Sequence, residues 1–99
     1  MPRFEWDPGK ETRNAEKHGI DFTTASQIWS SPIYERTDDR QDYGEPRIIA
    51  YGVAEGRVLA VVYTPRGQRY RIISARRASA RERTLYEAEI TRRGQLGPD

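Results

Sequence analysis

The chain has 99 residues, no cysteine, 32% charged residues and a formal net charge of +2. This length is that of one domain with a thin core, and the lack of cysteine excludes a disulfide framework and thiol chemistry. No segment approaches the ~20 apolar residues of a membrane-spanning helix. The N-terminus has no apolar run typical of a signal peptide, so we expect a cytoplasmic protein.

The distribution of charge is more informative than its total. Residues 1–50 carry a formal charge of −3, whereas residues 51–99 carry +5, and all but two of the 17 basic residues are arginines. Arginine is preferred where a planar donor fork binds phosphate or carboxylate, which favours an anionic partner. An ordinary solvated surface, or a genome rich in G and C, would give the same pattern.

The chain begins with a predicted short strand and a polar helix. Residues 3–6 alternate polar and apolar side chains, which predicts the strand. Asp7-Pro8 and Gly19 are typical of a helix start and a helix end, so a helix is predicted from about Pro8 to His18. Because this helix is nearly all polar, it must lie on the surface. One side of it is a candidate substrate edge, formed by Lys10, Asn14, Lys17 and His18.

A second helix, four strands and a last helix follow. Apolar residues recur at helical spacing from Phe22 to about Trp29. Strands are predicted at residues 33–37, 47–53, 57–64 and 69–74, and their short connections indicate an antiparallel meander. Ser79 and Glu82 match a capping box, which predicts a final helix from about Ala80 to Arg92 that stops at Gly94.

The predicted fold class is therefore α+β. We expect a small antiparallel β-sheet of about four strands plus a short N-terminal strand, with two N-terminal helices and a C-terminal helix. Residues 1–94 should form a single domain, and residues 95–99 a frayed tail.

The densest basic segment predicts a binding site for a polyanion. Between Arg66 and Arg83 the chain has seven arginines and one acid, Glu82. Strict strand alternation would place Arg69 and Arg71 on the open face of the sheet, opposite Tyr70, Ile72 and Ser74. A cleft lined by Arg66, Arg69, Arg71 and one of Arg76 or Arg77 would suit a nucleic-acid backbone, with Tyr51 and Tyr63 near enough to stack on bases. Alternatively, these arginines pair with Glu82, Glu87 and an acidic loop predicted at residues 38–46.

The candidate catalytic groups are few. His18 is the only histidine, which excludes a two-histidine mechanism, and it serves either as a general acid or base or as a helix-end cap. Asp38, Asp39 and Asp42 lack a calcium-ligand pattern and are interpreted as a solvated turn. Because no His or Cys pair has metal-ligand spacing, we expect no metal ion. With no P-loop, GxGxxG or GxSxG motif, we expect no nucleotide or redox cofactor either.

Transesterification of RNA remains compatible with these groups, since a 2′-hydroxyl supplies the nucleophile. The protein has to align the nucleotides, neutralise charge on phosphorus and move a proton. Arginines suit the second task, and Lys17, His18, Glu82 or Tyr86 the third.

Several segments together resemble the BrnT family of toxins from bacterial type II toxin–antitoxin modules. They are Phe4-Glu5-Trp6-Asp7, Lys10, Asn14, Lys17-His18-Gly19-Ile20-Asp21-Phe22, Arg71-Ile72-Ile73-Ser74-Ala75-Arg76-Arg77-Ala78, Glu82-Arg83 and Tyr86. The similarity extends to about Glu87. It implies a RelE-like fold, a small twisted antiparallel sheet with helices on one face, and a ribonuclease that halts translation. It also implies a BrnA-type antitoxin, whose ribbon-helix-helix part binds operator DNA.

The first hypothesis is therefore a metal-independent endoribonuclease toxin that forms a complex, such as a heterotetramer, with its antitoxin. The candidate catalytic residues are Lys17, His18, Arg76, Arg77, Glu82 and Tyr86; the candidate RNA-binding residues are Lys10, Arg66, Arg69 and Arg71. Two alternatives use the same basic surface: a non-catalytic nucleic-acid-binding module, and an interaction protein whose arginines receive an acidic partner.

Overall fold

The structure is a computed structural model that describes residues 2–95. Within these residues the strands are β1 (Arg3–Glu5), β2 (Tyr34–Thr37), β3 (Ile48–Ala54), β4 (Arg57–Arg66) and β5 (Arg69–Arg77). The helices are α1 (Pro8–His18), α2 (Phe22–Ser26), which continues into a 3₁₀ turn (Gln27–Ser30), and α3 (Ala80–Gln95).

The strands form a single mixed sheet in the order β1-β5-β4-β3-β2. Strands β2 to β5 are an antiparallel meander, as predicted, while β1 pairs in parallel with the first residues of β5. The α+β class is confirmed. Strand β1 lies at the sheet edge farthest from β2 and runs in the same direction as its neighbour β5, which makes this one pairing parallel.

The two faces of the sheet pack against different helices. On one face, the strand residues Leu59, Val61 and Ile72 pack against three fully buried residues of α2 and its 3₁₀ turn, namely Phe22, Ala25 and Ile28. On the opposite face, Tyr86 of α3 packs on Ile49, Tyr51, Ala60 and Val62. Helices therefore lie on both faces, whereas the resemblance implied one face. Burial of both faces explains how so polar a chain obtains a core.

The predicted bounds of the first helix are correct, whereas the predicted last helix is too short. Helix α1 has the predicted bounds, with the Asp7 carboxylate accepting from the Lys10 N–H and Gly19 at φ 71°. Helix α3 passes through Gly94 and ends at Gln95. Residues 96–99 of the predicted frayed tail lie outside the described residues.

A β-bulge in β5 changes the faces that alternation predicted. Val62 pairs with Ser74 and the next residue, Tyr63, pairs with Ile72, so Ile73 is an extra residue. Beyond the bulge, Ser74 and Arg76 lie on the same face as Arg69 and Arg71, and Arg77 turns to the face of α1 and α2. The strict alternation predicted for residues 69–77 is therefore wrong after Ile72.

The side chain of Asn14 joins α1 to the free edge of β5. Its amide nitrogen donates to the carbonyls of Ala75 (2.8 Å) and Ile20 (2.9 Å), and its amide oxygen accepts from the Ala75 N–H (3.0 Å). The side chain thus replaces a neighbouring strand at Ala75, where β1 no longer covers the edge. Asn14 is 7% exposed, so these bonds are shielded from water.

The acidic loop before β3 is more ordered than a solvated turn. Asp38 is 4% exposed and accepts from the Arg40 guanidinium at 2.8 and 2.9 Å, and this bonding lowers the pKa of the Asp38 carboxyl. The Arg47 guanidinium lies over the Tyr43 ring at 3.9 Å. The prediction of a solvated turn is therefore wrong for Asp38.

No helix in residues 2–95 is both long enough and apolar enough to cross a membrane.

The Asn14 contacts give a first testable prediction. We expect Asn14→Ala to lower the free energy of unfolding by about 2 kcal/mol or more, because it leaves buried Ala75 and Ile20 groups without partners. Thr12→Ala, an exposed position on the same helix, should change it by no more than about 0.5 kcal/mol. Urea denaturation followed by circular dichroism measures both variants, and equal losses would contradict the role of Asn14.

Candidate nucleic-acid interface

A groove of about 280 Å³ lies between α1 and the free edge of β5. Its lining residues are Lys10, Arg13, Asn14, Lys17 and His18 from α1, and Ile73 and Ser74 from β5. Asn14 fixes the distance between the two walls through its bonds to Ala75. The β5 wall is formed by the bulge, and the α1 wall is held to the sheet edge by the Asn14 side chain.

The groove is lined by positive side chains that have no carboxylate partner. Lys10, Arg13 and Lys17 follow one another at helical spacing, all three are exposed, and none forms an ion pair within residues 2–95. No acidic side chain is among the lining residues. Such a convergence of like charges is costly unless an anion or counterions neutralise it.

His18 completes this wall at the last turn of α1. Its side chain is partly buried and lines the groove beside Lys17. The groove thus contains the one imidazole of the chain. The sequence prediction that Lys10, Asn14, Lys17 and His18 share a side of α1 is confirmed.

Arg76 and Glu82, which are not among the lining residues of the groove, form a bidentate ion pair. The guanidinium donates to the two carboxylate oxygens at 2.7 and 2.9 Å, and the Tyr51 hydroxyl (2.8 Å) and Ser79 N–H (2.8 Å) complete the shell of Glu82. These bonds, that of Arg76 above all, lower the pKa of Glu82 to about 2, and the same pairing raises the pKa of Arg76. The predicted capping box is present, since the Glu82 N–H also donates to Ser79.

The other predicted arginines divide into paired and unpaired groups. Arg71 (2.7 Å) and Arg69 (3.8 Å) both contact Glu5, and Arg66 contacts Glu45 at 3.3 Å. Arg77 is exposed and has no ion pair in the described part of the chain. The alternative that the arginines bind carboxylates thus applies to four of them. Glu82 and Glu45, which lies in the acidic loop, were predicted partners, whereas Glu5 was not.

Three tyrosines named from the sequence lie inside the protein. Tyr86 is 5% exposed and its hydroxyl donates to the Pro32 carbonyl at 2.7 Å. Tyr51 and Tyr63 are each 2% exposed, and they stack on Tyr34 and Tyr70 respectively. The prediction that Tyr51 and Tyr63 stack on bases is therefore wrong.

Sequence reasoning missed Arg13 and Ser74 as lining residues. Arg13 follows Lys10 by three residues and precedes Lys17 by four, so helical spacing alone would have indicated it. Ser74 reaches the groove only because of the bulge at Ile73, for which the sequence carries no signal.

A second groove, of about 510 Å³, has different chemistry. It is lined by Trp29, Ile33, Tyr34, Glu35, Tyr70, Glu89 and Arg93. Two carboxylates and a paired arginine make it a poorer site for phosphate than the α1–β5 groove. Within residues 2–95, no three His, Asp or Glu side chains converge as metal ligands would.

Comparison with known proteins identifies a family of ribonucleases, which agrees with the basic lining of the first groove. A family model described as "Ribonuclease toxin, BrnT, of type II toxin-antitoxin system" matches residues 6–82, most of the chain. The matched range contains α1, the whole sheet from β2 to β5, and Glu82. No curated protein gives a significant match to the chain.

The lowered pKa of Glu82 predicts how stability depends on pH. Because its folded value of about 2 lies below the ordinary 4.5, the carboxylate stabilises the fold fully above about pH 4.5, and this contribution is lost as the pH falls toward 2. Glu82→Gln should therefore unfold more easily near neutral pH and show a flatter decline in acid. Glu87→Gln, an exposed site on the same helix, is the control. Urea titrations between about pH 7 and pH 2 measure this, and parallel curves for Glu82→Gln and wild type would refute it.

Proposed function

Because the chain belongs to the BrnT family of ribonuclease toxins of type II toxin–antitoxin systems, we propose that it is an endoribonuclease that cleaves RNA in the α1–β5 groove without a metal ion. The observation that carries the proposal is the convergence on one groove of the chain's only histidine and three cations that form no ion pair within residues 2–95. A phosphodiester supplies the negative charge that neutralises these cations.

In this proposal, α1 binds the phosphate backbone. Lys10, Arg13 and Lys17 extend over about two helical turns, or about 11 Å, which is enough to contact two successive phosphates. Arg69 and Arg71 lie on the same face of β5 as Ser74 and would continue the path, still partly engaged by Glu5. Arg66, at the β4–β5 turn, and Arg77, on the other face, would contact RNA outside the groove.

The proposed reaction is an attack of the RNA 2′-hydroxyl on its own 3′-phosphate. The O2′–P bond forms and the P–O5′ bond breaks, which gives a 2′,3′-cyclic phosphate and a free 5′-hydroxyl. His18 accepts the proton of the 2′-hydroxyl, and the Lys17 ammonium or a water molecule protonates the leaving oxygen. Arg76 stabilises the charge that develops on the phosphate.

Glu82 and Tyr86 have supporting rather than proton-transfer tasks in this proposal. Both carboxylate oxygens of Glu82 already accept two hydrogen bonds each, so no lone pair remains for a proton from RNA. Tyr86 is buried and its proton is engaged by Pro32. Its task is to hold α3 on the sheet.

We further propose that cleavage inhibits translation and that an antitoxin of the BrnA type, with a ribbon-helix-helix part, neutralises the chain. The type II description of the family supports a protein antitoxin. The unpaired groove cations are the surface that an acidic antitoxin segment would neutralise. Binding of operator DNA through the antitoxin, and a heterotetrameric complex, complete the proposal.

Cleavage by the purified chain tests the proposed reaction. The wild-type protein should cut a single-stranded RNA in excess EDTA and leave a 2′,3′-cyclic phosphate. His18→Gln should lower kcat by about 10²-fold or more, since general acid–base catalysis contributes at least that factor. Arg57→Gln, which removes one charge at the β3–β4 turn outside the groove, should cut like wild type.

Mass spectrometry of the products and gel-based rates measure these effects. RNA binding without any product would instead identify a non-catalytic binding module. Loss of cleavage in EDTA that Mg²⁺ restores would overturn the metal-independent mechanism.

Salt dependence of RNA binding tests the cationic wall separately from chemistry. Removing one phosphate contact should reduce the slope of log K against log salt concentration by about 0.7 for a single strand. We expect this for Lys10→Gln, Arg13→Gln and Lys17→Gln, and no change for Arg57→Gln. Fluorescence anisotropy with a 2′-O-methyl RNA, which cannot be cleaved by this reaction, measures the slopes. Unchanged slopes in all three groove variants would place the RNA elsewhere.

A further inference from the structure

We propose that Tyr51 is a positioning residue for RNA cleavage, which acts through Glu82 to fix the Arg76 guanidinium beside the Ser74 wall of the α1–β5 groove. The inference rests on the proposed function and adds to it a residue from β3, on the far side of the central strand from β5.

The hydrogen bonds around Glu82 form a closed arrangement. Oε1 accepts from Arg76 Nη1 (2.7 Å) and the Ser79 N–H (2.8 Å), while Oε2 accepts from Arg76 Nη2 (2.9 Å) and the Tyr51 hydroxyl (2.8 Å). Each oxygen thus has one fixed partner besides Arg76. The carboxylate plane is set from both sides, and a planar guanidinium paired with it in this way has a single preferred orientation.

Tyr51 is a rigid support for this arrangement. Its side chain is fully enclosed, and its ring is stacked with Tyr34 at 5.9 Å and approached by the Arg36 guanidinium at 5.8 Å. Burial and the bond to Glu82 both raise the pKa of the Tyr51 hydroxyl, so it stays protonated and remains a donor. A buried tyrosine that donates to a carboxylate fixes its position at little entropic cost.

The arrangement leaves part of Arg76 available to RNA. The Arg76 side chain is 39% exposed, whereas that of Glu82 is 15% exposed. Glu82 engages one N–H of each terminal nitrogen, and the Arg77 carbonyl accepts from Nη1 at 3.4 Å. Within the described residues, the Nε–H and one N–H of Nη2 remain as donors. A guanidinium held by a carboxylate on one side and open on the other binds phosphate without first losing rotamer freedom.

The position of Arg76 along β5 connects it to the groove. Arg76 lies on the same face as Ser74, two residues and about 7 Å further along the strand, and Ser74 lines the groove. Arg76 itself is not among the lining residues, so an RNA backbone bound by Lys17 at the Ser74 wall would reach the fixed guanidinium by continuing along β5.

The chain provides a matched control in Tyr63. It is as buried as Tyr51, it stacks on Tyr70, and its hydroxyl also donates to a carboxylate, that of Glu35. Glu35 lies on β2 and forms no ion pair with an arginine in the described residues. Tyr63→Phe therefore removes a similar hydrogen bond that has no connection to Arg76.

The experiment compares Tyr51→Phe with Tyr63→Phe in the full chain. Tyr51→Phe should lower the single-turnover cleavage rate of a single-stranded RNA by about 10-fold or more, because a misplaced catalytic group loses rate more than affinity. Its Kd for 2′-O-methyl RNA should stay within about twofold of wild type. Tyr63→Phe should cleave at the wild-type rate.

A double-mutant cycle distinguishes positioning from a general effect on the fold. In an Arg76→Lys background, where the bidentate pair is absent, Tyr51→Phe should cause little further loss of rate. An equal loss in both backgrounds, or a wild-type rate for Tyr51→Phe, would overturn the role of Tyr51 while leaving the ribonuclease proposal intact. If the wild-type chain does not cleave RNA at all, the proposed function fails, and this inference fails with it.

Discussion

The pairing of the Asn14 amide with the backbone of Ala75 is the contact on which the groove depends. Strand β1 covers β5 only along residues 69–71, so the edge beyond would expose unpaired N–H and C=O groups. One side chain satisfies both groups of Ala75 and also binds Ile20, at the point where the chain turns from α1 toward α2. A polar helix with few apolar residues has little other means of attachment to the sheet. The same contact therefore completes the sheet edge, holds α1 in place and presents its basic side to solvent.

In the described structure, some basic residues form ion pairs with carboxylates, and others form none and could bind an anion. Glu5, Glu45 and Glu82 bind arginines of β4 and β5, while the three cations of α1 that line the groove form no ion pair within the described residues. Surface ion pairs contribute little to stability, but they fix side chains in place and neutralise local charge. Three of the cations that form no ion pair within residues 2–95 therefore lie on one wall of one groove, although the arginine-rich segment of the sequence runs from Arg66 to Arg83. A net charge of only +2 is compatible with phosphate binding when it is distributed in this way.

Local signals in the sequence were sufficient for much of the fold. Asp7-Pro8 and Gly19 define α1, and Ser79 with Glu82 defines the start of α3, because capping depends on neighbours in the chain. The features that decide the site are not local. The bulge at Ile73 arises from the pairing of β4 with β5, and the partner of Arg71 is Glu5, 66 residues away. Residue types therefore predicted the α1 side of the groove, while the β5 side required the three-dimensional register.

The bulge has a direct chemical consequence. Without the extra residue, Ser74 and Arg76 would lie on the face of α2, opposite Arg69 and Arg71, and Arg76 could not reach Glu82 on α3. With it, Ser74 becomes part of the groove wall and Arg76 lies between that wall and the Tyr51–Glu82 pair. Bulges commonly redirect side chains beside active sites. In this chain a single inserted residue places Ser74 in the groove wall that faces the cations and the imidazole of α1, and it places Arg76 on the same face of β5, where it pairs with Glu82.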